Sequence, residues 1–144
     1  MVYIYKLRVI LIVLICTLGI SGCFGIFDSG SDTITDNYIL SWIDLQESQV
    51  IRKTSKECPT GCEAMTPPYI FSVGFNDEFI VAKQHPTAGF EEGYKIDSSI
   101  TNFFIIKLSN DEVIGPLNKL QFDSTKSHLS IEDINFTMNY PEYY

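Results

Sequence analysis

Thiols and imidazoles carry most of the chemical possibilities in this 144-residue chain, which holds four cysteines and two histidines. Cys16, Cys23, Cys58 and Cys62 admit three disulfide pairings. The one close pair is Cys58 and Cys62, in ECPTGCEAM, where Pro59 and Gly61 suit a tight turn. Two thiols at this spacing can close a structural disulfide, cycle as a redox couple or offer thiolates to a metal. Redox dithiols are ordinarily CxxC beside a helix N-terminus in a βαβ setting, and CxxxC in a strand-rich chain does not fit that pattern. A metal centre would have to recruit His85 and His128 to complete a Cys2His2 set. They stand 23 residues past Cys62 and 43 residues further on, which matches no zinc spacing. Met65 adds a soft sulfur near Cys62 and is one ligand only.

Other reaction chemistry has less to stand on. The chain contains no GxSxG elbow, no GxxxxGK[ST] loop and no GxGxxG turn. Glu91 and Glu92, in AGFEEGY, are adjacent carboxylates. Glycoside chemistry needs two acids facing a bond from opposite sides, so these two read as a solvated turn. His85 in KQHP is expected at a strand end, and His128 as a solvated residue at a helix end. Tyr140, Tyr143 and Tyr144 lie past every expected element, in a tail that is either partly ordered or a docking patch. No catalytic residue, metal ligand or cofactor is assigned, and an enzyme is the less favoured reading.

The N-terminus is more specific. MVYIYKLR carries Lys6 and Arg8, and VILIVLICTLGI, residues 9–20, is apolar. A basic start, an apolar stretch of about a dozen residues and small residues after it make a secretory signal peptide. Here Ser21 and Gly22 lead into a cysteine, and ISGC resembles the lipobox of bacterial lipoproteins: an aliphatic residue, two small ones, then Cys23. That resemblance implies a diacylglyceryl thioether on Cys23 and removal of residues 1–22. The rival is an uncleaved helix, because the uncharged run extends to Phe27 and its 19 residues suffice to span a bilayer. Gly19, Ser21, Gly22 and Gly25 weaken that helix, and no basic cluster follows it. With Cys16 removed and Cys23 lipidated, as the lipobox implies, Cys58 and Cys62 are left to each other. Outside the cytoplasm such a pair oxidises, and closing so short a loop stabilises by about 2 kcal/mol. CxxxC also occurs in copper-delivery lipoproteins of thioredoxin fold, where proline follows the second cysteine; Glu63 stands there in this chain.

Without Lys6 and Arg8 the chain has eight basic and 18 acidic residues, a net charge of −10. Nucleic-acid binding, which relies on Lys and Arg neutralising phosphates, is therefore not expected, nor is adhesion to anionic lipid heads. The membrane is expected as a partner through the lipid on Cys23, placing the protein at the cell membrane or outer membrane on its extracytoplasmic side. Asn135-Phe136-Thr137 fits the glycosylation triplet but has no weight behind a bacterial leader.

Stepping along the chain, FGIFDSGSDTITDN, residues 24–37, is rich in Gly, Ser and Asp and reads with Cys23 as a flexible acidic tether. The folded part is expected over 38–144, one domain by length. YILSWIDL (38–45) and QVIRK (49–53) are strand-like, split by Gln46, Glu47 and Ser48. YIFSVGF (69–75) and FIVAKQ (79–84) flank Asn76, Asp77 and Glu78 as a β-hairpin. YKID (94–97), NFFIIKL (102–108) and VIG (113–115) follow. FFII, 103–106, is apolar on both faces and needs cover on both. A helix after Gly115-Pro116, within 117–129, is expected to supply it through Leu117, Leu120 and Phe122, although Asp123, Ser124 and Thr125 are weak helix formers. The tail from Ile134 to Met138 is expected to add a strand. The fold class is α+β, mainly β: a single small antiparallel sheet domain with one C-terminal helix packed on it.

YIFSVGFNDEFIVAKQHP, with FFIIKL and GPLNKLQF behind it, resembles an uncharacterised family of small bacterial lipoproteins catalogued as a domain of unknown function, in outline from Tyr69 to Leu129. The resemblance implies lipoprotein character and one small domain, and no activity. The leading expectation is a non-enzymatic envelope lipoprotein that binds a protein or a small ligand. The alternative is an extracytoplasmic metal-binding or thiol-redox protein using Cys58 and Cys62.

Overall fold

The structure is a computed structural model that describes residues 29–61, 63–88 and 95–141. These residues form nine strands and one helix, a mainly β architecture with the expected C-terminal helix. The strands divide between two antiparallel sheets where a single sheet is expected from the sequence. The first sheet has the order β1 (Ser29–Thr35), β2 (Tyr38–Ile43), β3 (Leu45–Lys53), β4 (Glu63–Ala64). The second has the order β8-β7-β6-β5-β9, made from β5 (Ile70–Phe75), β6 (Phe79–Gln84), β7 (Asn102–Lys107), β8 (Glu112–Leu117) and β9 (Met138–Asn139).

Alternation along the strands explains the layering. In β7, Phe104 and Ile106 join Ile70, Val73, Ile80 and Ala82 in a core shared with Ile34, Tyr38, Leu40 and Ile51 of the first sheet. Phe103 and Ile105 point the other way and, with Val81, meet Phe122, Ile131 and Ile134. The second sheet is thus the middle of three layers. The doubly apolar FFII has the cover on both faces that its composition requires.

The hairpin of β5 and β6 forms as expected around 76–78. The Asn76 side chain shapes it by accepting from the backbone N–H groups of Glu78 (2.9 Å) and Phe79 (2.8 Å). The helix α1 (Lys119–Leu129) starts at an Asn118 cap whose side chain accepts from the Gln121 N–H, while the Gln121 side chain accepts from the Asn118 N–H. That reciprocal cap offsets the weak formers Asp123, Ser124 and Thr125. It ends at Ser130 in the left-handed region (φ 58°), where the Ile131 N–H reaches back to the Lys126 carbonyl.

Five expectations need correction. Residues 29–35, expected in the tether, form a strand: the ladder to β2 satisfies their backbone, Ile34 is buried, and the Trp42 indole lies directly on Gly30, where a larger residue would collide. A polar sequence is tolerated because β1 is an edge strand. The chain reverses at Asp44 (φ 64°), not at Gln46–Ser48, which instead make an irregular start to β3. Leu120 is 82% exposed, and the helix turns Phe122 and Lys126 inward. Lys126 sends its ammonium to the carbonyls of Ile134 (2.7 Å) and Glu132 (3.2 Å), tying down the chain after the helix. The tail strand is only Met138–Asn139, while Ile134 packs in the helix-side core. Gly74 permits this crossing, since a Cβ there would strike the backbone of Asn135 and Phe136. At 95–97 there is only a bridge, Thr87 to Ile96. Pro116 sits in edge strand β8, whose irregular register past Ile105 accommodates a residue that cannot donate to a ladder.

Candidate functional site

At one end of the sandwich the tips of the β1–β2 and β5–β6 hairpins stand side by side and leave a cleft of about 400 Å³. Thr35, Asp36, Asn37 and Tyr38 line it from the first sheet; Phe75, Asn76, Asp77 and Leu108 line it from the second. Phe75 is 41% exposed, a large aromatic at the mouth of a polar cleft that carries two carboxylates.

The wall of this cleft is held by an inter-sheet network. Asp111, at the β7–β8 turn with φ 61°, accepts from the Tyr38 hydroxyl and pairs with Lys53 at 2.5 Å. The Lys53 ammonium and then the Tyr38 hydroxyl hold the Asp111 carboxyl below its usual range, against a small opposing effect of burial. Burial first, and the neighbouring Asp111 second, push the Tyr38 phenol well above its ordinary value, so it stays protonated. A second clamp joins the C-terminal tail to β1: the Tyr140 hydroxyl donates to Asp32 at 2.7 Å, and the Tyr140 N–H donates to the Phe71 carbonyl at 2.9 Å. Tyr140 is therefore part of the fold, while Tyr143 and Tyr144 lie outside the described residues.

The sign of the resulting pH dependence follows from these shifts. A carboxyl depressed in the folded state contributes stability that is present above its unfolded value, about 3.9, and lost as pH falls through the folded value. Asp111→Asn is expected to be less stable than the parent at neutral pH, with the difference shrinking below about pH 4. Urea midpoints measured from pH 7 down to pH 3 check this, and a difference that does not change with pH contradicts it.

At the opposite end of the first sheet lies a second surface, two adjoining grooves of about 550 and 390 Å³ that share Ser41, Trp42, Ile43 and Arg52. Arg52 is oriented by its Nε–H bond to the Ser41 hydroxyl (3.1 Å). The segment around Cys58 lies over Arg52: Ser55 and Cys58 exchange backbone hydrogen bonds (3.1 and 3.2 Å), the Gly61 N–H donates to the Cys58 carbonyl, and Gly61, with φ 82°, sits against the Arg52 side chain. Only glycine accepts both that conformation and that approach.

The residues singled out from sequence are dispersed. Cys23, Cys62, Glu91 and Glu92 lie outside the described residues. His85 is buried after β6, stacked on Phe71 at 4.4 Å with Nδ1 2.7 Å from the Ile100 carbonyl. His128 is exposed on the last turn of α1, which packs on the other face of the second sheet. Met65 packs against the inter-sheet core. Among the described residues no three His, Cys, Asp or Glu side chains group closely enough to hold a metal ion, and no helix is long and apolar enough to cross a membrane. Sequence reasoning missed Tyr38, Lys53, Asp111, Asp32 and the cleft. Their partners stand 58 to 108 residues apart, and no local pattern announces such contacts.

Fold and site together define a small sheet-on-sheet domain, covered by one helix on its second sheet, with a cleft where the sheet tips meet. The chain belongs to the family described as protein of unknown function (DUF3997), whose model matches residues 35–141. The match takes in every element from β2 to β9, a wider span than the Tyr69–Leu129 resemblance. No curated protein and no solved structure matches the chain.

Proposed function

We propose that this protein is a bacterial envelope lipoprotein, lipid-anchored at Cys23 on the extracytoplasmic side of a membrane, whose domain is a non-enzymatic binding module. The observation that carries the binding role is the inter-sheet cleft: Phe75 half-exposed over a wall made rigid by the Tyr38–Asp111–Lys53 network. A preformed surface of this kind loses little freedom on binding, and aromatic residues, phenylalanine included, are enriched at binding interfaces. Asp36 and Asp77 make the cleft negative, in keeping with a ligand or protein partner that presents a positive or hydrogen-bonding group. The lipobox supports the anchoring.

In this reading Cys58 and Cys62 are an oxidised pair that holds the segment over Arg52. Two reduced thiols in envelope-grown protein, or copper or zinc bound in stoichiometric amount, would return the metal or redox alternative.

The binding role is tested by affinity capture from solubilised envelope with the parent protein and with Phe75→Asp. The substitution is at an exposed position and leaves both cores intact. At least one component is expected to be retained by the parent and weakened about tenfold or more by the variant, the loss typical of a central contact residue. Identical capture profiles contradict the assignment of the cleft.

A further inference from the structure

We infer that the Trp42–Ile43–Leu45 edge of the first sheet is a membrane-docking surface that seats in the interfacial region of the bilayer holding the lipid on Cys23. The inference rests on the lipidation proposed above and adds to it an orientation and a second point of contact.

Ser29 opens β1 and pairs across the ladder with Ile43. Five residues, 24–28, separate Ser29 from Cys23. Whatever their conformation, the six steps from Cys23 to Ser29 cover at most about 20 Å. The Ile43 end of the first sheet is therefore always close to the lipid, and the β1–β2 tip at Asp36 and Asn37, a strand length away, is the far end.

Among the described residues, three of the five exposed large hydrophobic side chains, Ile43, Leu45 and Ile100, lie at the near end, while Phe75 is at the far tip and Leu120 on the helix. Ile43 is 59% and Leu45 50% exposed, and they stand together with Trp42 and Pro68 along one groove. Ile100, 47% exposed, lies at the corresponding end of the second sheet, beyond His85 and the start of β7. Single exposed apolar residues are ordinary, but a contiguous group marks an interaction site. Tethering raises the effective concentration of lipid at this edge far above that of any diffusing partner. Tryptophan favours the boundary between headgroups and acyl chains, and aliphatic neighbours insert just below it. Asp44 stands at the turn between Ile43 and Leu45, and with Glu47 it offsets the groove's Arg52, so no net attraction to anionic headgroups is expected. The contact depends on apolar insertion and is expected on zwitterionic lipid. With this edge down, the cleft at Asp36, Phe75 and Asp77 faces away from the membrane.

Trp42 is the only tryptophan in the chain and reports its own environment. The lipidated mature protein, purified from membranes, is reconstituted in phosphatidylcholine vesicles with and without brominated acyl chains. Its emission is compared with that of an unlipidated chain of residues 23–144 carrying Cys23→Ser. Docking predicts a blue-shifted emission that acrylamide reaches poorly and that brominated lipid quenches. It also predicts that Ile43→Asp with Leu45→Asp abolishes the quenching while the protein still floats with the vesicles. Protein that floats but shows the emission of the soluble form, unquenched, overturns the docking and leaves the lipid anchor standing. Emission that shifts only when envelope proteins are added also overturns it, in favour of a protein partner. Protein that does not float overturns the lipidation itself.

Discussion

Phe104→Ala is expected to lower the unfolding free energy by about 3 to 5 kcal/mol, enough to leave a large part of a small domain unfolded at ordinary temperature. Phe104 is 2% exposed in the core between the sheets, and its ring lies against the backbone at Gly115. Ile80, Ile106, Leu40 and Ile51 around it are fully buried and belong to strands tied on both sides or facing across the sandwich. Walls of that kind relax little into a cavity, and an unrelaxed cavity adds its cost to the lost transfer free energy. Urea titration should show a lower midpoint with an unchanged slope. Leu120→Ala, at an 82% exposed helix position, is the control and should stay within about 0.5 kcal/mol. Equal effects of the two substitutions would mean that Phe104 is not a core residue and that the sheets do not pack face to face.

Cys23→Ser is expected to move the protein almost wholly from the membrane to the soluble fraction, or to leave it as an unprocessed precursor. Each buried methylene contributes about 0.8 kcal/mol, and one acyl chain gives marginal attachment where two give stable anchoring. On the proposed lipidation, a diacylglyceryl cysteine supplies both chains at one residue, so its loss would remove the whole attachment. The apolar contact proposed at Trp42, Ile43 and Leu45 is too small to replace it. The uncleaved-helix alternative predicts the opposite: residues 9–27 would hold the protein in the membrane whatever stands at position 23. Fractionation together with the intact mass of both forms separates these outcomes: the lipoprotein reading predicts a parent that lacks residues 1–22, whereas the uncleaved-helix alternative leaves residues 1–22 on both forms.

Local patterns in the sequence carried the fold as far as local physics reaches. Asn76, Asp77 and Glu78 between two β-branched and aromatic runs specify a hairpin, and that hairpin is the centre of the second sheet. The doubly apolar FFII required cover on both sides, and both layers exist. The helix after Gly115-Pro116 is present because the Asn118 cap and Lys126 supply what propensity lacks. What could not be read is non-local. SGSDTIT looks like a linker because an edge strand exposes most of its side chains and needs only a neighbour's backbone to be ordered. The division into two sheets depends on how the chain crosses between Ala64 and Ile70, which side-chain periodicity does not record. The clamps from Tyr38 and Lys53 to Asp111, and from Asp32 to Tyr140, join residues far apart in sequence. The cleft they support was invisible for the same reason. The proposed anchor rests on the reverse kind of signal: Ile20-Ser21-Gly22-Cys23 resembles a lipobox, a motif read in sequence order.

The orientation proposed for the cleft and the membrane contact proposed at Trp42, Ile43 and Leu45 both depend on the proposed attachment at Cys23, which the intact mass of the protein extracted from membranes tests. The expected mass is that of a chain that begins at Cys23, lacks residues 1–22 and carries a diacylglycerol on that cysteine. A chain that keeps Met1 to Gly22, or begins elsewhere with an unmodified Cys23, would contradict it.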